Sequence, residues 1–147
     1  MGVEIDMHAG SCHCGAIGFS YRTSKLPAAW TVRACQCTFC RAHSTLTTSD
    51  PSGSVEFHQY RTGLLQRYRF GLRITNFLLC QSCGVYIGAE VETKAGRFGI
   101  ININALRPIP VVLGPTASMD YSSESVEQRL ARREARWSPV RSSGLRR

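Results

Sequence analysis

The seven cysteines of this chain fall into three tight groups, Cys12/Cys14, Cys35/Cys37/Cys40 and Cys80/Cys83. An odd count arranged as C-x-C and C-x-x-C is poor material for a disulfide framework, whereas thiolates two or three residues apart can converge on one soft divalent ion. Zinc is the expected ion. A closed structural zinc site takes four protein ligands and a reactive one keeps a position open, so two pairs and a triplet divide into four and three. This predicts two Zn²⁺ per chain, one structural and one catalytic.

Cys12 and Cys14 flank His13 and would point to opposite faces of a regular strand, so a turn must bend them together. Cys80 and Cys83 have knuckle spacing, and Gly84 behind them can take the positive φ of such a turn. We assign Cys12, Cys14, Cys80 and Cys83 to one Cys₄ zinc, which joins distant loci and couples metal binding to folding. Four small polarisable thiols filling a core without metal is the competing reading.

The triplet puts three thiols within six positions. A second zinc on Cys35, Cys37 and Cys40 leaves room for water, a substrate thiolate or a carbonyl oxygen, which makes these three the candidate catalytic residues. Three thiolates give a weaker Lewis acid than three histidines, but one suited to reversible binding of soft sulfur. Other arrangements stay open. His43 or His13 would close the site as a fourth ligand. A C-x-x-C pair can also cycle between dithiol and disulfide, although the flanking chain lacks the βαβ pattern of a thioredoxin-like protein. Arg41 is close enough in sequence to orient an anion, with a solvent-facing position as the alternative.

A chain of 147 residues suits one domain, expected over residues 8–140, followed by a basic flexible tail at 141–147. The formal charge of +8 suggests nucleic acid, but Arg129 to Arg147 holds seven arginines against Glu134 alone. Basic character is therefore a property of the C-terminal region, the one place where nucleic acid would bind, and nucleic acid is disfavoured as a partner. Residues 1–10 contain no apolar run, and no stretch approaches the roughly 20 apolar residues that cross a bilayer. We expect no membrane partner and, with reduced thiols, a cytoplasmic setting.

Alternation of Ile17, Phe19 and Tyr21 with Gly18, Ser20 and Arg22 reads as a half-buried strand. After a turn at 25–27, Trp30, Val32 and Ala34 resume the pattern and end at Cys35. Short strands are expected at 44–48, 55–60, 65–70, 77–79, 85–89 and 98–103, between Gly, Pro, Asp and Asn signals. Residues 124–137 read as a helix capped by Ser122 or Ser123 and stopped by Pro139, with Val126, Leu130 and Trp137 inward and its arginines solvated. Asn102 and Asn104 are placed on one side of a strand, lining a polar pocket or bonded structurally. Phe39 and Tyr86 wall a cleft or pack in the core. No hydrolase elbow, phosphate-binding loop or carboxylate pair is present.

The ordered runs G-S-C-H-C-G-A-I-G-F, C-Q-C-T-F-C-R, C-Q-S-C-G and I-I-N-I-N-A-L, followed by an Arg-rich helix and W-S-P, resemble the glutathione-dependent formaldehyde-activating enzyme family, which includes centromere protein V-like domains. The resemblance implies a mainly β, Mss4-like β-tent zinc-binding fold with a C-terminal helix. It implies a structural zinc on Cys12, Cys14, Cys80 and Cys83 and a catalytic zinc on Cys35, Cys37 and Cys40. It also implies carbon–sulfur lyase activity on a small thiol or thiol–aldehyde adduct, such as glutathione joined to formaldehyde. The alternative is a non-enzymatic zinc scaffold that binds protein or nucleic acid.

Overall fold

The computed structural model describes residues 4–141. All but the first residue of the expected basic tail therefore lie outside the described residues. The strands are β1 (Asp6–Ser11), β2 (Ile17–Thr23), β3 (Val32–Cys35), β4 (Thr47–Thr48), β5 (Ser54–Gln59), β6 (Leu65–Tyr68), β7 (Thr75–Cys80), β8 (Tyr86–Thr93), β9 (Gly96–Asn102), β10 (Thr116–Met119) and β11 (Ser138–Pro139). Two helices interrupt them, α1 (Thr38–Ala42) and α2 (Val126–Arg136). The chain is thus a mixed β-sheet fold with a short C-terminal helix.

One sheet has the order β1-β2-β5, and the larger has the order β10-β3-β4-β9-β8-β7-β6 with β11 beside β9. Every ladder is antiparallel except that of β10 with β3. The alternation read in β2 is realised: Ile17, Phe19 and Tyr21 are fully buried, and they join Val55, Phe57, Leu78, Ile87 and Ile101 in one core. The Phe57 ring lies against Gly88 and Gly99, where any β-carbon would press on it, so the small sheet packs closely on β8 and β9. The sheets face each other because each presents an apolar side too wide to leave in water.

The expected helix starts two residues late. Ser125, not Ser122 or Ser123, caps α2: its hydroxyl accepts from Gln128 N while the Gln128 side chain accepts from Ser125 N. This reciprocal pair satisfies two end donors, whereas Ser122 N is already bonded to the Asp120 carboxylate. Glu124 thus precedes the helix and folds back onto Arg132 at 2.7 and 2.9 Å. After Arg136 the chain extends into β11, and the W-S-P run becomes a clamp: Trp137 and Ser138 are buried, Asp50 N donates to Ser138 Oγ, and Ser49 Oγ donates to Arg136 O. That clamp seats α2 on the larger sheet, against β8.

Besides β11, three elements escaped the periodicity. β1 and β10 are mostly exposed edge strands without strong alternation, and the turn of α1 follows Cys37 directly. The strand expected over 44–48 shrinks to β4, since Ser44 has a positive φ of 50°. No helix of the described residues is long and apolar enough to cross a membrane.

Candidate metal centres and the adjoining cavity

Two positive-φ glycines make the first cluster possible. Gly15 (φ 81°) closes a turn in which Gly15 N donates to Cys12 O, and Gly84 (φ 79°) closes its counterpart by donating to Cys80 O. The turn undoes the opposed directions that a strand would impose on Cys12 and Cys14. Cys14 Sγ lies 3.8 Å from Cys12 Sγ and 3.6 Å from Cys80 Sγ, and all four sulfurs including that of Cys83 lie within 4.8 Å of one another. A tetrahedral zinc–thiolate centre has S–S edges of about 3.8 Å, given Zn–S bonds of about 2.3 Å, so the donor set fits zinc. Backbone amides support the sulfurs, Ile17 N donating to Cys12 Sγ and Cys83 N to Cys80 Sγ. The Cys14 thiol is pushed down to about 6, first by the Ala16 backbone amide, whereas burial pushes Cys80 up to about 11.

The second cluster forms where β3 ends and α1 begins. Cys35 closes the strand, Cys37 caps the helix by accepting from Cys40 N at 3.4 Å, and Cys40 is buried in the first turn. Their sulfurs also lie within 4.8 Å of one another. The Cys40 thiol lowers Cys35 to about 6 by hydrogen bonding, and Cys40 itself is raised, first by that same bond and then by burial. All seven cysteines are free thiols. Each cluster is able to coordinate a metal ion.

Neither His43 nor His13 joins the triplet, and both are exposed. The His43 ring instead packs 4.5 Å from that of Phe39. Phe39 anchors α1 in an aromatic cluster with Phe70, Phe77 and Tyr86, at centroid distances of 5.4, 4.8 and 5.2 Å. Neither ring lines the cavity: Tyr86 is buried and Phe39 half-buried, and both pack within this aromatic cluster. The Tyr86 hydroxyl is buried with no hydrogen-bond partner, and its pKa is raised by burial and then by the charge of Cys40, Cys35 and Cys37. The shared strand face expected for Asn102 and Asn104 does not form, because β9 gives way to a 3₁₀ turn at 103–105. Asn102 caps that turn and donates to Tyr86 O, while Asn104 donates to Ser44 O.

Cys35, Cys37 and Cys40 line a cavity of about 370 Å³. Its apolar wall includes Phe70, Leu72, Ile74 and Phe77. Its charged lining is Arg33, Arg129, Arg132 and Arg133 with one acid, Asp120, so three of the four α2 arginines depart from the solvated position expected of them while Arg136 stays exposed. Arg33 and Arg133 are only 8% and 7% exposed. Arg33 donates to Ser49, and Arg133 donates to Thr75 and lies 4.5 Å over the Trp137 ring. Burial lowers the pKa of both, that of Arg133 to about 10. Arg41, next to the triplet in sequence, is exposed and outside the cavity lining. A signal for the missed residues existed: 129, 132 and 133 stand at helical i, i+3, i+4 spacing on one face.

Comparison with known proteins bears on the same stretch. A crystal structure of a Rhodobacter sphaeroides protein aligns with a TM-score of 0.50 at 23% identity, covering 73% of this chain and 99% of that one. At that identity it shows a common fold. None of the curated proteins matches the chain. The family model described as glutathione-dependent formaldehyde-activating enzyme matches residues 7–123, a stretch that contains both cysteine clusters and most of the cavity lining. The order of the cysteine groups, their convergence into a four and a three, and this match agree that the chain belongs to the glutathione-dependent formaldehyde-activating enzyme family.

Proposed function

We propose that this protein is a zinc-dependent carbon–sulfur lyase that makes and breaks the adduct of a small aldehyde with glutathione or a related thiol. The observation that carries the reading is the inequality of the two cysteine clusters. Four sulfurs converge in one, whereas the other has three and lines a cavity. In this reading the chain adopts the Mss4-like β-tent arrangement, Cys12, Cys14, Cys80 and Cys83 hold a structural zinc, and Cys35, Cys37 and Cys40 hold a catalytic one. Bound there, zinc supplies a soft Lewis acid with one position free for a ligand from outside the protein.

The chain's own residues do the rest. Phe70, Leu72, Ile74 and Phe77 lower the polarity of the volume in front of the triplet, which strengthens polar interactions inside it. Confining thiol and aldehyde there converts an encounter into a positioned reaction. The sulfur electron pair forms the C–S bond, the carbonyl π pair moves to oxygen, and the proton that leaves sulfur ends on that oxygen; cleavage reverses each movement. The guanidinium wall favours negative charge in the cavity as it develops on that oxygen.

A scaffold that binds nucleic acid through α2 is the competing reading. Arg129, Arg132 and Arg133 turn towards the cavity and leave Arg136 as the exposed arginine of that helix, so α2 lacks a basic outer stripe. Reduced thiols suit a cytoplasmic site of action. The test is zinc-loaded protein mixed with formaldehyde and glutathione, with adduct exchange followed by NMR. The expected result is exchange faster than the uncatalysed rate and its loss in Cys37→Ser. Equal exchange without zinc at the triplet overturns the proposal.

A further inference from the structure

Two buried hydroxyls stand unanswered beside the cysteine triplet. Among the described residues neither Thr45 Oγ1 nor Tyr86 Oη completes a hydrogen bond, although Thr45 is only 4% and Tyr86 only 1% exposed. Both belong to the surroundings of Cys40, the buried member of the triplet. The turn that closes α1 brings Thr45 there: Ser44 takes its positive φ, Ser44 N donates to Arg41 O, and Thr45 N donates to Cys40 O at 3.0 Å. The Cys40 thiol is raised first by Cys35 and then by burial, and the Thr45 hydroxyl opposes both. Tyr86 reaches the same place from β8, its ring lying 5.2 Å from that of Phe39 and 5.9 Å from that of His43, on either side of Cys40 in α1 and its cap. On its phenol the charge of Cys40 acts more strongly than that of Cys35 or Cys37.

Packing alone asks for neither oxygen. A phenylalanine would keep the ring contacts of Tyr86 and a valine the shape of Thr45, whereas a buried hydroxyl without a partner carries a desolvation cost. That cost is recovered when the neighbouring thiol becomes a thiolate, a charged acceptor for two O–H donors. We propose that Thr45 and Tyr86 are positioning residues whose hydroxyls donate to the Cys40 thiolate when the triplet takes a divalent ion, fixing that sulfur and drawing charge from it. Three thiolates make a weak Lewis acid, and two donors on one of them offset part of that weakness. The proposal rests on the metal-binding reading of the triplet and is independent of the adduct chemistry.

The experiment loads the full chain with cobalt(II), whose sulfur-to-metal charge-transfer absorption reads the charge on the ligating thiolates. The four-cysteine cluster contributes equally to wild type and variants and cancels in their difference. Losing a donor raises the energy of the sulfur electrons, so Tyr86→Phe and Thr45→Val should each shift the triplet's band to longer wavelength. Each should also weaken zinc binding at the triplet about 10–100-fold in competition with a chromophoric chelator. Thr45→Ser keeps a hydroxyl and should retain the wild-type band and affinity. Tyr86→Phe preserves the ring, so it decides the matter even if Thr45→Val fails to fold. An unmoved band with unchanged affinity in Tyr86→Phe overturns the proposal, because a purely structural hydroxyl alters stability without touching the sulfur. If Cys37→Ser has the same cobalt spectrum as wild type, the triplet holds no ion, and the metal reading falls together with the proposal. A shifted band in a protein without adduct exchange refutes the lyase reading and leaves the two donors standing.

Discussion

The two cysteine clusters use the same donor atom and teach opposite lessons. The Cys12/Cys14/Cys80/Cys83 cluster joins segments 66 residues apart, on turns shaped by Gly15 and Gly84. The Cys35/Cys37/Cys40 cluster is local, built within one strand end and one helical turn, and it lines a cavity. Closing a long loop removes much of the unfolded chain's freedom, and closing a six-residue one removes little. In the proposed function the first cluster stabilises the fold and the second presents sulfur to a ligand.

That contrast can be broken most severely at the distant cluster. Cys80→Ser should abolish the cooperative thermal transition seen by circular dichroism, because structural zinc contributes about 10–16 kcal/mol in small domains and this site is its proposed anchor. A variant that melts like wild type would show that the thiols merely fill the core. Cys37→Ser should do the reverse, removing adduct exchange while shifting the melting temperature by only a few degrees. Native mass spectrometry sharpens the same comparison: two zinc ions are expected, one after Cys37→Ser, and a chelator should strip the triplet first.

Smaller effects bear on the cavity's charged wall alone. Ser125→Ala removes the α2 cap and should cost about 1 kcal/mol by chemical denaturation, with weaker ligand binding because the helix carries Arg129, Arg132 and Arg133. The Glu124 carboxyl is held below its ordinary value, first by the hydrogen bond from Arg132. Its contribution to stability is therefore present above the unfolded carboxyl pKa and lost as pH falls through the lower folded value. Acid titration of wild type against Glu124→Gln should reveal a small extra loss in wild type in that window. Parallel curves would mean that the pair contributes nothing.

Much of this was legible before any coordinates. The division into four and three follows from spacing, since thiolates two or three residues apart have few ways to share one ion. The strand of Ile17, Phe19 and Tyr21 follows from alternation, and the turn at Gly84 from glycine's tolerance of positive φ. The cap of α2 was misread because Ser122, Ser123 and Ser125 are all competent, and the reciprocal bond with Gln128 decides among them. For Asn102 and Asn104 the structural hydrogen-bonding alternative holds, while the shared strand face fails because a 3₁₀ turn breaks the period that placed them together.

Residue types and their local spacing settled which thiols could gather and where the chain could turn, because those depend on a few bonds of backbone. They did not reveal that four arginines would line the cavity, with Arg33 and Arg133 buried in its wall. A charged side chain on an amphipathic helix reads as solvated until something packs over it. Here the Trp137–Ser138 clamp and the serine at position 49 seat α2 against the larger sheet, and burial then turns four dispersed charges into one wall. Only the tertiary structure could decide that, since the groups that desolvate those arginines come from parts of the chain that meet in no other way.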